Sequence, residues 1–384
     1  MYRLLSEEGL EEALQEENDV DKTEKEANNL KQVEKNQFLS VVYAAFCGVM
    51  FSFTNYIYGH FSTSGTVTRE TFAFGTLVFA VGYYFVEFIH FKRQGKKYLT
   101  WQDSNFRNPE TGKFCWKRFS AIFLYSAIIL VSGYFLLYTF QFGTYGNMNH
   151  GILTSLFGLS AIFSAVLAYF LFGDRLKIFH VIGIILMLIC IVGLSLGSTK
   201  NSEIELLDET AAEISDTPLF YALLSIALGI ICPISFAGSG MVVRYASNNY
   251  GTKSLQLTLI GFLWYNIVLF PALLITYLGG YQPFIASDFL LNTFCGILGA
   301  FSIIVLNKAL TLGLAGPVFA LANLQIIIQS ILDAIFLSQV PTWIEIVAAV
   351  FGILGCCTIA LGPDLAKKFK SNHEKYQASD SKDI

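Results

Sequence analysis

The sequence predicts an all-α integral membrane protein with ten transmembrane helices, arranged as two inverted five-helix repeats. Of its 384 residues, 54% are hydrophobic and only 14% are charged, whereas soluble domains carry about 25% charged residues. Ten apolar runs follow one another, and each is long enough to cross ~30 Å of hydrocarbon as a helix. The pattern of residues 149–197 also returns at 314–362, 165 positions later and without a gap.

The ten runs form two groups of five, and with the polar stretches around them they give five predicted segments of the chain. Each run is expected to be one helix, because a helix satisfies its own backbone hydrogen bonds in lipid. The runs are 38–58, 71–91, 119–140, 150–172, 178–197, 217–242, 255–278, 289–312, 316–338 and 343–361. The segments are an acidic cytosolic tail without fixed structure (1–36), a first five-helix repeat (37–200), an acidic exterior linker (201–216), a second repeat (217–362) and a cytosolic C-terminal tail (363–384).

The internal repeat is one of pattern more than of identity. Only 7 of the 49 aligned pairs are identical, among them Gly151 with Gly316, while the polar turn at 173–177 falls on 338–342. Because five helices is an odd number, the second repeat must enter the membrane in the opposite sense to the first. Inverted repeats commonly place a substrate site near the midplane between the two halves.

The positive charges predict the orientation. With the N-terminus in the cytosol, 22 of the 25 lysines and arginines fall on the inner side, and only Arg69 and Lys200 fall outside. The remaining one, Lys308, lies within the eighth run. This bias follows the positive-inside rule and predicts that both termini are cytosolic. The positive-inside bias has the same form in the plasma membrane and in endomembranes, so it does not distinguish between them.

The ninth run carries the clearest polar stripe. Gln325, Gln329 and Asp333 recur at intervals of four residues, which places them on one helix face, and Asn323 lies on a neighbouring face. Polar side chains are unfavourable toward lipid, so they should face the bundle or a wet cavity. The alternative is that they form hydrogen bonds between helices. Asp333 is either a coupling site for protons or cations, or a structural charge near the interface.

A deep cation lies in the eighth run. Lys308, beside Asn307, is about one turn from the inner end of the predicted helix. It is a candidate to bind an anionic substrate. It could equally extend to the cytosol along its aliphatic stem or pair with Glu87.

Five further polar or aromatic residues are candidates to line a cavity. They lie on different predicted helices, and Ser235 is close to Pro233, which removes a backbone donor from its helix. Aromatic side chains in such positions are also typical of helix packing and of the membrane-interface belt. The five are Asn55, Tyr138, Ser235, Trp264 and Asn266.

The run LAYFLFGDRL at 167–176 carries a family resemblance. It resembles the end of helix 4 and the Gly-Glu-Arg-Leu turn of the EamA-like ten-helix branch of the drug/metabolite transporter superfamily, with Asp174 in place of Glu. In the second half, 309–317 resembles the family's passage from helix 8 to helix 9, whereas 338–341 departs from the expected charged turn. Arg69 resembles a recurrent family arginine, which would either steer anions into the outer mouth or anchor the second helix.

The resemblance implies a central cavity lined by helices of both halves, with alternating access driven by a gradient or by exchange. The predicted function is therefore secondary transport of a small organic solute, which Lys308 would make an anionic one, in contact with membrane lipid and with proton or counter-substrate coupling. The alternative is a membrane scaffold or accessory subunit that does not transport and whose centre is packed.

The chain shows no pattern of an enzyme. It lacks a Walker motif, a His-Glu-x-x-His motif and any metal-ligand spacing among its histidines. Its basic stretches lie beside helix ends, where they suit anionic lipid headgroups. We therefore predict no catalytic residue, no cofactor, no metal and no nucleic-acid partner.

Overall fold

The protein is described by a computed structural model over residues 32–57, 69–95, 106–107, 111–146, 153, 156–206, 217–281, 283–336, 342–359 and 362. Regular structure in these ranges is helical, apart from an isolated bridge between Arg107 and Phe114. The predicted all-α class is therefore confirmed. Residues 1–31 of the predicted N-terminal tail (1–36), the predicted C-terminal tail (363–384) and residues 207–216 of the acidic linker lie outside the described residues. Residues 32–36 of the N-terminal tail and 201–206 of the linker are helical, as continuations of the adjoining helices.

Six helices among the described residues are long and apolar enough to cross a membrane. Their bounds agree with the first, second, third, sixth, seventh and eighth predicted runs to within a few residues, except that three continue at least five residues further at one end. They are α1 Gln32–Ile57, α2 Arg69–Arg93, α3 Trp116–Tyr145, α6 Thr217–Tyr250, α7 Ser254–Leu278 and α8 Ala286–Leu312.

The remaining helices contain shorter apolar stretches. A 3-10 turn at Phe157–Leu159 leads directly into α4. The ninth predicted run forms two helices, α9 and α10, instead of one. The bounds are α4 Ser160–Phe172, α5 Ile178–Leu206, α9 Ala315–Ala322, α10 Leu324–Phe336 and α11 Trp343–Ile359.

Asn323 separates α9 from α10. Its N–H is shared between the carbonyls of Phe319 and Ala320, and its own carbonyl accepts from Ile326 only three residues ahead. Its side-chain Nδ2 donates to the carbonyl oxygen of Gly158, at 3.2 Å. An asparagine side chain can form hydrogen bonds with backbone groups that compete with the regular hydrogen bonds of a helix. This explains why a continuous apolar run does not form one continuous helix.

The polar turn after α4 joins two distant parts of the chain. Gly173 ends the helix in the left-handed conformation, with φ of 67°, which glycine adopts without strain. The next residue, Asp174, accepts two bonds from Arg244 near the end of α6, at 2.5 and 3.0 Å. The Arg244 guanidinium also lies 4.6 Å from the centre of the Phe172 ring. The turn is therefore fastened to the second half of the chain.

Helices α2 and α8 pack with their backbones nearly in contact. A Cβ atom at Gly75 would overlap the carbonyl oxygen of Thr293, and one at Gly296 would overlap that of Phe72. Small residues allow this approach, which stabilises helix pairs where lipid supplies no hydrophobic drive. The contact fixes which face of α2 turns toward the interior, and Phe72 and Arg69 lie near this crossing.

Candidate functional site: a cavity between the two halves

A cavity of about 140 Å³ lies where helices of both halves meet. The first half contributes residues of α1, α2, α3 and α4, and the second half contributes residues of α6 to α10. Phe236 of α6 lines the cavity and also packs against both large apolar clusters of the core. The wall is mainly apolar, with Phe51, Phe72, Ile129, Leu136, Phe140, Phe157, Phe236, Ile303 and Phe319.

Three of the predicted candidates line this cavity. Asn55 of α1 donates from Nδ2 to Oε1 of Gln325 of α10, at 3.2 Å. Asn323, two residues before Gln325, bonds to the carbonyl oxygen of Gly158. Together they form a polar section of the wall that is built from both halves of the chain.

Arg69, the first residue of α2, is the charged residue of the lining. Only 6% of its surface is exposed. Its guanidinium carbon lies 5.1 Å from the centre of the Phe72 ring and 5.8 Å from that of Tyr265. Gly133 of α3 makes room for it, because a Cβ there would overlap the guanidinium. A cation is thus held deep in an apolar site by aromatic faces, which attract it through their quadrupoles.

The hydrogen-bonding groups of Arg69 are not fully used. Its buried Nε has no hydrogen-bond partner among the described residues, and no ion pair of Arg69 occurs in them. The adjacent carboxylate of Glu70 accepts a bond from the Tyr134 hydroxyl, at 3.1 Å. A buried charge without a partner is unfavourable, and among the described residues the Nε–H of Arg69 remains without an acceptor.

Two predicted candidates lie instead in hydrogen-bonded contacts between helices. Asn307 donates to the Tyr125 hydroxyl at 3.1 Å and to Thr258 Oγ1 at 2.8 Å. Asn266 donates to Thr76 Oγ1 at 3.1 Å. Both asparagines are buried outside the cavity lining. These contacts join α3, α7 and α8 in one case and α2 and α7 in the other.

The structure places the other candidates away from the cavity wall. Tyr138 is 40% exposed and stacks on Tyr134. Trp264 packs edge-on against Phe119. Neither belongs to the lining, and the same holds for Lys308, which is exposed, for Gln329, and for Ser235, whose hydroxyl bonds to its own helix. The side chain of Asp333 lies outside the described residues.

Arg69 is thus the residue whose position the sequence left open. Two signals pointed to it, namely a positive charge on the predicted outer side and a family resemblance. Neither signal distinguishes an arginine that anchors the helix at the membrane surface from one that lies inside the bundle. The crossing of α2 with α8 and the space at Gly133 place Arg69 inside the bundle, and both depend on residues remote from Arg69 in sequence.

Comparison with known proteins agrees with this architecture. Residues 223–361 match the EamA-like transporter family. This stretch belongs to that family. The predicted resemblance to the drug/metabolite transporter superfamily is therefore confirmed, with the match lying in the second half of the chain. The match and the apolar helices support an integral membrane protein.

Similarity over the whole chain concerns the fold only. No curated protein matches this chain. One solved structure, described simply as a crystal structure of a protein, has a TM-score of 0.56 and 13% sequence identity. The similarity covers 85% of this chain and 98% of the other, so the two share their fold over nearly their whole length.

Proposed function

We propose that the chain is a secondary transporter that moves a small organic solute by alternating access, through ten membrane spans arranged as two inverted repeats. The observation that carries this proposal is the cavity, whose wall is shared between α1–α4 and α6–α10. A site at the junction of two halves can be exposed to either side when the halves rock against each other. The EamA-like match of the second half supports the same function.

Ten spans are supported by the shorter apolar helices. Four apolar stretches, at 157–172, 178–193, 315–329 and 343–359, accompany the six long helices. The sequence next to each stretch continues it toward the length of the corresponding predicted run, and the stretch at 178–193 lies in the 29-residue helix α5. A discontinuous helix beside a cavity is common in transporters, because its freed backbone groups face a site rather than lipid.

The inverted repeat is supported by the positions at which helices are interrupted. The first copy has a 3-10 turn at Phe157–Leu159, and the second copy breaks at Asn323. Gly158 and Asn323 are equivalent under the 165-residue offset, and they are bonded to each other. Contact between equivalent positions is what a two-fold axis between the copies would produce.

The scaffold alternative predicts a packed apolar centre. The cavity and its buried arginine favour the carrier instead, since an unfilled space lined by a charged residue has no evident use in a purely structural core. Cytosolic termini remain part of the proposal on the basis of the distribution of lysines and arginines. Proton or counter-substrate coupling remains part of it on the basis of the family resemblance and of Asp333.

Reconstitution into liposomes tests the proposal. The full chain is supplied with a panel of labelled organic anions, cations and neutral metabolites, with and without a proton gradient, and compared with protein-free liposomes. Leu136→Trp should block uptake by filling the cavity, whereas Leu124→Trp, exposed on the same helix, should not. Uptake that is equal in both variants, or absent for every solute, would contradict transport through this cavity.

A further inference from the structure

We infer that the cavity binds a small organic monoanion, with one carboxylate on Arg69 and a ring-sized apolar body among the surrounding aromatic side chains. This inference rests on the proposed transport function, because it names the solute class of the same cavity. It assigns the anion to Arg69 and not to Lys308, which the sequence had suggested.

Arg69 brings a positive charge to the cavity that no described side chain balances. Arg69 is 6% exposed and belongs to the cavity lining. Within the described part of the chain it forms no ion pair, and its Nε–H has no acceptor. The carboxylate nearest in sequence, Glu70, is engaged by Tyr134. Because arginine stays charged in proteins, an anion that reaches this site gains a partner that the protein itself does not provide.

The geometry of the guanidinium is the second argument. Phe72 and Tyr265 attract the cation with their ring faces, at 5.1 and 5.8 Å from their centres. Ring faces provide no oxygen acceptor for its N–H donors. A carboxylate satisfies two of these donors in parallel, which is the arrangement that arginine favours over a single-point contact. The site is therefore better suited to a carboxylate than to a neutral polar group.

The volume and the lining of the cavity suit one aromatic ring. The cavity volume of about 140 Å³ is close to that of an engineered apolar cavity of about 150 Å³ that holds benzene. Phe51, Phe140 and Phe319 are among the residues that would surround such a body. A nucleoside diphosphate conjugate is larger and carries at least two negative charges, while Arg69 is the single cation among the described lining residues. The second charge would be buried unpaired, which is strongly unfavourable.

Ligand-induced thermal stabilisation of the full chain in detergent tests the solute class with four probes. Benzoate, benzamide and benzylamine share one ring and differ in charge, and uridine diphosphate represents the larger polyanions. We expect benzoate to raise the melting temperature in a saturable way, with at least about 30-fold higher affinity than benzamide, as expected for a buried charge pair. Stabilisation by benzamide, benzylamine or uridine diphosphate equal to that by benzoate would overturn the inference.

Two charge-removing variants locate the site. Arg69→Gln should abolish stabilisation by benzoate, Arg69→Lys should retain part of it, and Lys308→Gln should leave it unchanged because Lys308 is exposed outside the lining. Loss in Lys308→Gln with retention in Arg69→Gln would overturn the inference. If Arg69→Gln does not fold, the comparison of the probes on the wild-type chain decides the matter, together with Arg69→Lys.

The outcomes separate this inference from the proposed function. Uptake of neutral or cationic solutes into liposomes, without any preference for benzoate in binding, would refute the monoanion and leave transport standing. Binding of benzoate at Arg69 without uptake of any solute would refute transport and leave the anion site standing.

Discussion

Asn323 donates a hydrogen bond of 3.2 Å to the carbonyl oxygen of Gly158, which precedes it by 165 positions. The same offset relates the two similar stretches of the sequence, 149–197 and 314–362. Both residues lie where a helix is interrupted, and their neighbours Phe157, Ser160 and Gln325 line the cavity. The two helix interruptions are thus joined by a hydrogen bond beside the candidate site.

Replacement of Asn323 by leucine should destabilise the protein. The change removes the donor to Gly158 and leaves that carbonyl without this side-chain partner, at an expected cost of about 0.6 to 2 kcal/mol in the free energy of unfolding. Thermal unfolding in detergent measures the effect. Asn248→Leu, at an exposed site, is the control, and equal melting temperatures for the two variants would contradict the structural role of the bond.

The pair of Asp174 and Arg244 should couple the two halves energetically. Their side chains are only 10% and 12% exposed, and the bidentate geometry strengthens the interaction. Asp174→Asn and Arg244→Gln should each destabilise the protein, and a double-mutant cycle should give a coupling of about 1 to 3 kcal/mol. Additive effects of the two substitutions in the thermal unfolding of the double variant would exclude this coupling.

The crossing of α2 and α8 should not tolerate a methyl group. Gly75→Ala places a Cβ against the Thr293 carbonyl, so the helices must separate, and overpacking of this kind costs about 1 to 3 kcal/mol. Gly82→Ala on the same helix is the matched control, because no heavy atom lies within 4 Å of a Cβ there.

The two alanine variants are compared by melting temperature and by the yield of monodisperse protein. The control should be neutral or slightly more stable, by up to about 1 kcal/mol, since alanine favours helices over glycine. A Gly75→Ala variant as stable as Gly82→Ala would show that the helices do not approach as closely as described.

The space at Gly133 should control how Arg69 presents its charge. Gly133→Ala would displace the guanidinium, with which the added Cβ overlaps. If Arg69 binds the carboxylate, benzoate affinity should fall about 10-fold to 100-fold, the equivalent of one charged hydrogen bond, while the variant still melts cooperatively. The affinity is measured from the melting temperature as a function of benzoate concentration, with Gly82→Ala as the control. Unchanged affinity in Gly133→Ala would contradict the placement of Arg69.

The length and composition of the apolar runs were sufficient to predict the six long helices, but not the interruptions in the fourth and ninth runs. Runs such as 255–278 and 289–312 became α7 and α8 with ends shifted by three residues or fewer. Gly173 marked a true helix end because glycine alone adopts its left-handed backbone without strain. These features depend on local sequence, since a helix in lipid satisfies its backbone within one segment.

The sequence by itself thus determined an all-α membrane protein and the residues of its long helices. Only the tertiary structure decided which polar groups meet. Helical periodicity shows which residues share a face of one helix, but not which face another helix covers. Gln325 and Gln329 therefore looked equivalent in the sequence, whereas only Gln325 of the two lines the cavity. Likewise Lys308 lies exposed, and Arg69 is buried because Gly75, Gly133 and Gly296, far apart in sequence, let helix backbones approach and leave space for it.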